Sequence, residues 1–98
     1  MPRFRKKPVV IEAVQITAMT KPVDVPDWLK EAMAKSRDTV GAFWGTDLNG
    51  GELFVNTLEG PLRVSENDWL IQGTAGELYP CKPDIFVNIY EEITDDTL

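Results

Sequence analysis

The apolar positions of this chain follow two periods. "PVVIEAVQIT" at 8–17 is rich in Val and Ile. Val9, Ile11 and Ala13 fall on one alternation set, and Val10, Val14 and Ile16 on the other. Apolar residues on both sets predict a strand covered on both faces for much of its length. Glu12 then sits near an end of the strand or needs a partner. "AMTKPVD" at 18–24 reads as a connector. In "VPDWLKEAMAKS" at 25–36 the period changes. Val25, Trp28, Leu29, Ala32 and Met33 recur at helical spacing, which predicts a helix with one apolar stripe. Pro26 suits its first position, and Asp27 complements the positive end of its dipole. Trp28 and Met33 are expected to face a core.

From residue 39 onward the period of two returns. "TVGAFWG" (39–45), "ELFVNT" (52–57), "LRVS" (62–65), "WLIQG" (69–73) and "LYPC" (78–81) alternate with short polar segments. Those segments, "DLNGG", "LEGP", "SEND" and "TAGE", carry turn chemistry, and Asn-Gly in the first supports the positive φ of a hairpin. Asp68 is expected to cap its turn through its side chain. Trp69 and Ile71 share one sheet face and Leu70 the other, with Trp69 expected in the core. "KPDIFVNIYEEI" (82–93) suits two conformations. Pro83 and Asp84 can open a short helix burying Ile85, Phe86, Ile89 and Tyr90, while the β-branched residues suit a strand. A helical turn followed by a short final strand is favoured, and "TDDTL" (94–98) reads as a frayed tail. The fold class is α+β in a single domain over 1–98. It is a curled antiparallel meander of about five strands, with one main helix on one face and room for a short C-terminal helix.

Composition narrows this picture. A hydrophobic fraction of 43% is ordinary for a globular chain. No apolar run approaches the roughly 18 residues of a membrane span. Glu12 interrupts the apolar run behind the basic start, which reads as mature structure and not a signal peptide. The single cysteine allows no internal disulfide, which fits a reducing, cytoplasmic setting. Charge is unevenly spread. Residues 1–37 carry eight Lys/Arg and four Asp/Glu, a net of +4, and residues 38–98 carry two and twelve, a net of −10. An acidic body disfavours nucleic acid. The basic cluster Arg3, Arg5, Lys6 and Lys7 is the exception. It reads as a solvated leader, or as a contact for phosphate, an acidic partner or the acidic half of a second copy.

Histidine is absent, which removes the commonest metal ligand and the usual general base. Neither a Ser-His nor a Cys-His nucleophile can be assembled from this chain alone. No conventional zinc site, P-loop, dinucleotide fingerprint or EF-hand loop is present, so no cofactor or metal is expected. The richest stretch is "GELYPCKPDIF" at 76–86. Lys82 beside Cys81 could favour a thiolate, but no base accompanies it, and an inert thiol is the expectation. Pro80 and Pro83 stiffen the segment, and Lys82 is pushed toward an extended conformation. The result is a rigid corner that aims Tyr79, Lys82 and Asp84. Trp44, beside Gly45 and a turn, is expected near the surface as part of a binding or oligomer face.

"FRKKPVVIEAVQI", "LEGPLRVSENDWLIQGTAGELYPCKPDIF" and Tyr90 resemble a widespread group of small phage and prophage proteins of uncharacterised function. The resemblance covers both ends and about half of the chain. In that group Pro-Gly precedes Asp-Trp, where this chain has Glu66-Asn67. Asn tolerates positive φ, so the turn can survive. The resemblance implies a phage gene product acting inside a bacterium, and it carries over no catalytic residue. Three functions follow as expectations. The first is a non-catalytic protein-interaction module, homo-oligomeric or bound to a host or phage protein, using Arg3, Arg5, Lys6, Lys7 and Trp44. The second is a small-ligand module, for a nucleotide-like molecule, walled by Trp69, Glu77, Tyr79, Lys82 and Asp84. The third and weakest is a carboxylate or magnesium hydrolase using Asp68 and Glu77.

Overall fold

The computed structural model describes residues 1–5, 7–17, 25–46 and 51–93. Lys6, the connector 18–24, residues 47–50 of the Asn-Gly turn and the tail 94–98 lie outside the described residues. The elements are β1 (Glu12–Gln15), α1 (Asp27–Ala34), β2 (Phe43–Gly45), β3 (Leu53–Thr57), β4 (Gly60–Val64), β5 (Trp69–Gln72), β6 (Leu78–Cys81) and α2 (Pro83–Ile89). The six strands form two antiparallel sheets, ordered β1-β5-β6 and β2-β3-β4. The mixed helix and strand composition is as expected. The single meander of about five strands is corrected to two three-stranded sheets.

The reason lies at 65–68. "SEND" does not fold β5 back onto β4. Strand β1 occupies the place beside β5 instead, with Ala13 opposite Ile71 and Val14 opposite Leu70. Beyond the end of β1, the Ile16 N–H donates to the Asp68 carbonyl at 2.9 Å and the Asn67 N–H donates to the Ile16 carbonyl at 2.6 Å. The segment therefore carries the chain from one sheet to the other. The true hairpins are local. Strands β3 and β4 are joined across Leu58-Glu59, with Thr57 opposite Gly60 at φ +107°. Strands β5 and β6 are joined by 73–77, where the Gly73 N–H donates to the Glu77 carbonyl.

Helix α1 starts after Pro26, whose extended backbone caps it and whose carbonyl accepts from Leu29 and Lys30. Val25, Leu29 and Ala32 bury their side chains with Phe43, Val55 and Val64 of one sheet and Leu70 and Leu78 of the other. One apolar core thus joins α1 and both sheets. Trp28 is partly buried against it, as its spacing predicts, but Met33 is exposed. The strand read from residue 39 begins only at Phe43. Gly41, at φ +92°, and Ala42 together oppose Asn56: the Gly41 N–H donates to its carbonyl and its N–H donates to the Ala42 carbonyl. This is a bulge with glycine in the position that needs positive φ. The Asn56 side-chain amide also donates to the Arg37 and Thr39 carbonyls, which fixes the approach to β2.

The first strand is shorter than its sequence suggests. It runs from Glu12 to Gln15, and Val9 and Val10 are exposed. At the C-terminus the helix is realised over 83–89, and no strand follows it among the described residues.

Asn67 has φ +73°, and every other described residue with positive φ is a glycine. Asn67→Gly is expected to leave stability within about 0.5 kcal/mol of the native chain, whereas the β-branched Asn67→Val should lose about 1–2 kcal/mol. Urea unfolding of both variants measures this. Equal stability of the two would show that the turn relaxes out of the left-handed region.

Candidate functional site

Strand β5 has two unlike faces. Leu70 points into the shared core, while Trp69 and Ile71 lie on the opposite face of the sheet. Cross-strand pairing puts Ala13 and Tyr79 beside Ile71, and Gln15 and Cys81 beside Trp69. Helix α2 covers part of this outer face. Phe86 stacks on Trp69 with ring centroids 4.2 Å apart and planes 6° from parallel. Tyr90, one turn further on, stacks on Phe86 at 4.9 Å. Trp69 is therefore not a core residue. It is half-buried and forms the base of a three-ring stack outside the core.

The rigid corner aims these groups. Lys82 is extended (φ −64°, ψ 144°) and precedes Pro83, which opens α2. Its ammonium lies 3.4 Å from Asp68 Oδ2. The same Asp68 oxygen accepts the Ser65 N–H at 2.9 Å, as the expected turn cap. Asp68 is only 2% exposed, whereas the Lys82 side chain is largely solvated. A buried carboxylate needs such partners, because leaving it unpaired costs several kcal/mol. The pair thus links the crossover turn to the start of α2.

Tyr79 and Tyr90 share a side-chain hydrogen bond. Burial, together with that bond and nearby negative charge, pushes the Tyr79 hydroxyl up to about 12. Burial also pushes the Cys81 thiol up, and the carboxylates of Asp68 and Asp84 add to the shift. Lys82 is turned toward Asp68, and the field at Cys81 is set by carboxylates. The thiol is neutral near pH 7, in keeping with an inert cysteine.

Three of the five residues expected to wall a ligand pocket line two different recesses. Trp69 lines a groove of about 550 Å³ between residues 9–13 and α2. Tyr79 and Glu77 line a separate recess of about 240 Å³ against the β3–β4 turn. Lys82 and Asp84 line neither. Glu77 folds back over its own turn, accepting the Ala75 N–H at 3.0 Å. Asp68 and Glu77 lie at opposite ends of the β5–β6 hairpin, roughly 17 Å apart by strand rise. Among the described residues no three His, Cys, Asp or Glu side chains are placed to hold a metal ion.

The residues expected at an interface separate as well. Arg3, Arg5 and Lys7 are exposed at the leader, and Lys6 lies outside the described residues. Trp44 sits on the other sheet and is half-buried. It stacks on Phe54 at 4.9 Å, and the Arg37 guanidinium lies over its ring at 4.9 Å. Sequence reasoning missed Phe86 and Tyr90 as partners of Trp69. Their i, i+4 spacing behind Pro83 was the available signal.

The 550 Å³ groove is the most distinctive surface. Val9, Val10, Trp69, Phe86, Val87 and Tyr90 line it. Glu12, Glu91 and Glu92 add carboxylates, and among the described residues no Lys or Arg joins them. Beside it, α2 turns Ile85, Val87 and Ile89 to solvent and fully buries none of its residues. Compared with known families, with curated proteins and with solved structures, the chain matches none. Among the described residues no helix is long and apolar enough to cross a membrane.

Two outcomes follow from this geometry. Asp68→Ala is expected to cost about 2–3 kcal/mol in urea unfolding, because it strands a turn N–H and removes the buried partner of Lys82. Lys82→Met removes the solvated partner but leaves the Ser65 N–H on the Asp68 carboxylate, so it is expected to cost less, about 1 kcal/mol. The reverse order would mean that Lys82 and not the turn holds this corner.

Tyr79 gives a pH dependence. Its hydroxyl titrates near 10.0 when unfolded and near about 12 when folded. Its contribution to stability is full below pH 10 and is lost as pH rises through 12. Unfolding followed across that range should show a loss of stability that is smaller in Tyr79→Phe. The same slope in both proteins would remove Tyr79 from the account.

Proposed function

We propose that this chain is a small phage- or prophage-encoded protein of the bacterial cytoplasm that acts as a non-catalytic protein-interaction module. The carrying observation is the outer face of the β1-β5-β6 sheet. There α2 is clamped by three stacked rings while its aliphatic residues and the adjoining Val9 and Val10 stand in water. Contiguous exposed apolar surface of this kind is the usual mark of a contact face. Aromatic side chains fixed by stacking make efficient anchors, because little rotamer freedom is left to lose on binding.

Available chemistry points the same way. The chain has no histidine, its cysteine is held as the thiol, and Asp68 and Glu77 are each engaged in their own turns. The phage assignment rests on the two quoted motif segments. Both meet at the proposed face, the first through Val9 to Ala13 and the second through Trp69 and Phe86.

Native mass spectrometry of the protein, purified gently from bacterial cells, tests this reading. The expected spectrum shows the polypeptide alone, in its assembled state or with a protein partner. A small extra mass that leaves on denaturation would overturn it in favour of a ligand-sequestering module and would identify the ligand class.

A further inference from the structure

The leader and the groove are complementary. Arg3, Phe4, Arg5 and Lys7 stand clear of the body, and Phe4 is 94% exposed. A fully exposed phenylalanine between two arginines is unfavourable for a free surface, since burying such a ring is worth about 1.5–3 kcal/mol. The groove offers the matching chemistry: an aromatic stack with Val9, Val10 and Val87, together with the carboxylates Glu12, Glu91 and Glu92. Phe4 lies five residues ahead of Val9, a reach of at most about 18 Å in extended chain. The leader's own copy does not use it to fill that groove. Strand β1 is also an edge, with β5 its only strand neighbour among the described residues.

Resting on the interaction reading above, we propose that the partner is a second copy of this chain. Each copy lays its leader in the other's groove, with Phe4 against the Trp69–Phe86–Tyr90 stack and Arg3, Arg5 and Lys7 facing Glu12, Glu91 and Glu92. The arrangement is isologous. Both halves of the contact are present on one chain, so a two-fold axis satisfies them together and the assembly closes as a dimer. The opposed charges of the two segments select this register, and salt weakens it.

Sedimentation equilibrium of the full chain, from low micromolar to near-millimolar concentration, tests the proposal. The native chain is expected to dimerise, more weakly at high salt. Phe4→Ala should raise the dimer dissociation constant by about 10- to 100-fold. Two charge-reversed chains, one with Arg3→Glu and Arg5→Glu and the other with Glu91→Lys and Glu92→Lys, should each weaken self-association by about tenfold or more. All four positions are exposed, so folding is expected to be unaffected, which circular dichroism checks. Mixed together, the two chains pair an acidic leader with a basic groove and the reverse, and dimer should return. A native chain that stays monomeric throughout would overturn the exchanged leader. So would a native dimer indifferent to both reversals, or a mixture that fails to recover. None of these results requires a small-molecule adduct, so failure here is separable from failure of the interaction reading.

Discussion

The Asp68 carboxylate is the constraint on which the rest of this structure depends. It is buried at the point where the chain passes from one sheet to the other. A charge in that position must be satisfied on several sides at once. One oxygen takes the Ser65 N–H and the Lys82 ammonium, and the Asp68 main chain binds Ile16 and Ser65. The crossover turn is thereby fixed to the end of β1 behind it and to the start of α2 in front. Asn67, in the left-handed region, bends the backbone so that its N–H meets the Ile16 carbonyl while its own carbonyl receives the Gln15 side chain. The turn places three separate segments, and its geometry decides which strand lies next to β5.

A second consequence is that β5 is covered on both sides. Its inner residue Leu70 belongs to the common core, and its outer residues meet α2 and the flanking strands. "WLI" is an unbroken apolar run for that reason, since a strand buried on both faces has no polar set. The outer layer is thin. A seven-residue helix held mainly by ring stacking cannot bury its aliphatic side chains, because the aromatic face takes the side next to the sheet.

Much of the fold was legible wherever it is local. The α1 stripe at helical spacing, the turns at 58–59 and 73–77 and the strands either side of them follow from period and turn chemistry alone. What escaped is non-local. Nothing in "SEND" distinguishes a hairpin turn from a crossover, because the difference lies in β1 competing for the edge of β5. Trp69 reads as core from the sequence because an apolar residue in a strand has two faces to choose from, and the second covered face is not visible without α2. Met33 is exposed because the short helix α1 turns Leu29 and Ala32 into the core, with Trp28 partly buried beside them. The stiff corner at 80–83 was readable from its prolines, and so was the Asp68 turn cap. The meeting of Asp68 with Lys82 was not, since 14 residues separate them in sequence.

The acids of the groove lie at a surface beside apolar side chains. A catalytic or ligand site concentrates polar groups where water is excluded, and there their pKa values shift together. Here the groups that shift are a tyrosine tied to another tyrosine and a thiol facing carboxylates, and both are held neutral. The acidic side chains of the groove, Glu12, Glu91 and Glu92, remain solvated at an apolar surface. An anionic rim around exposed aliphatic and aromatic residues supports the proposed protein contact, in which the apolar centre would give affinity and the rim would set partner and register. Within this chain the complementary pattern, cationic residues flanking an exposed aromatic ring, occurs in the leader.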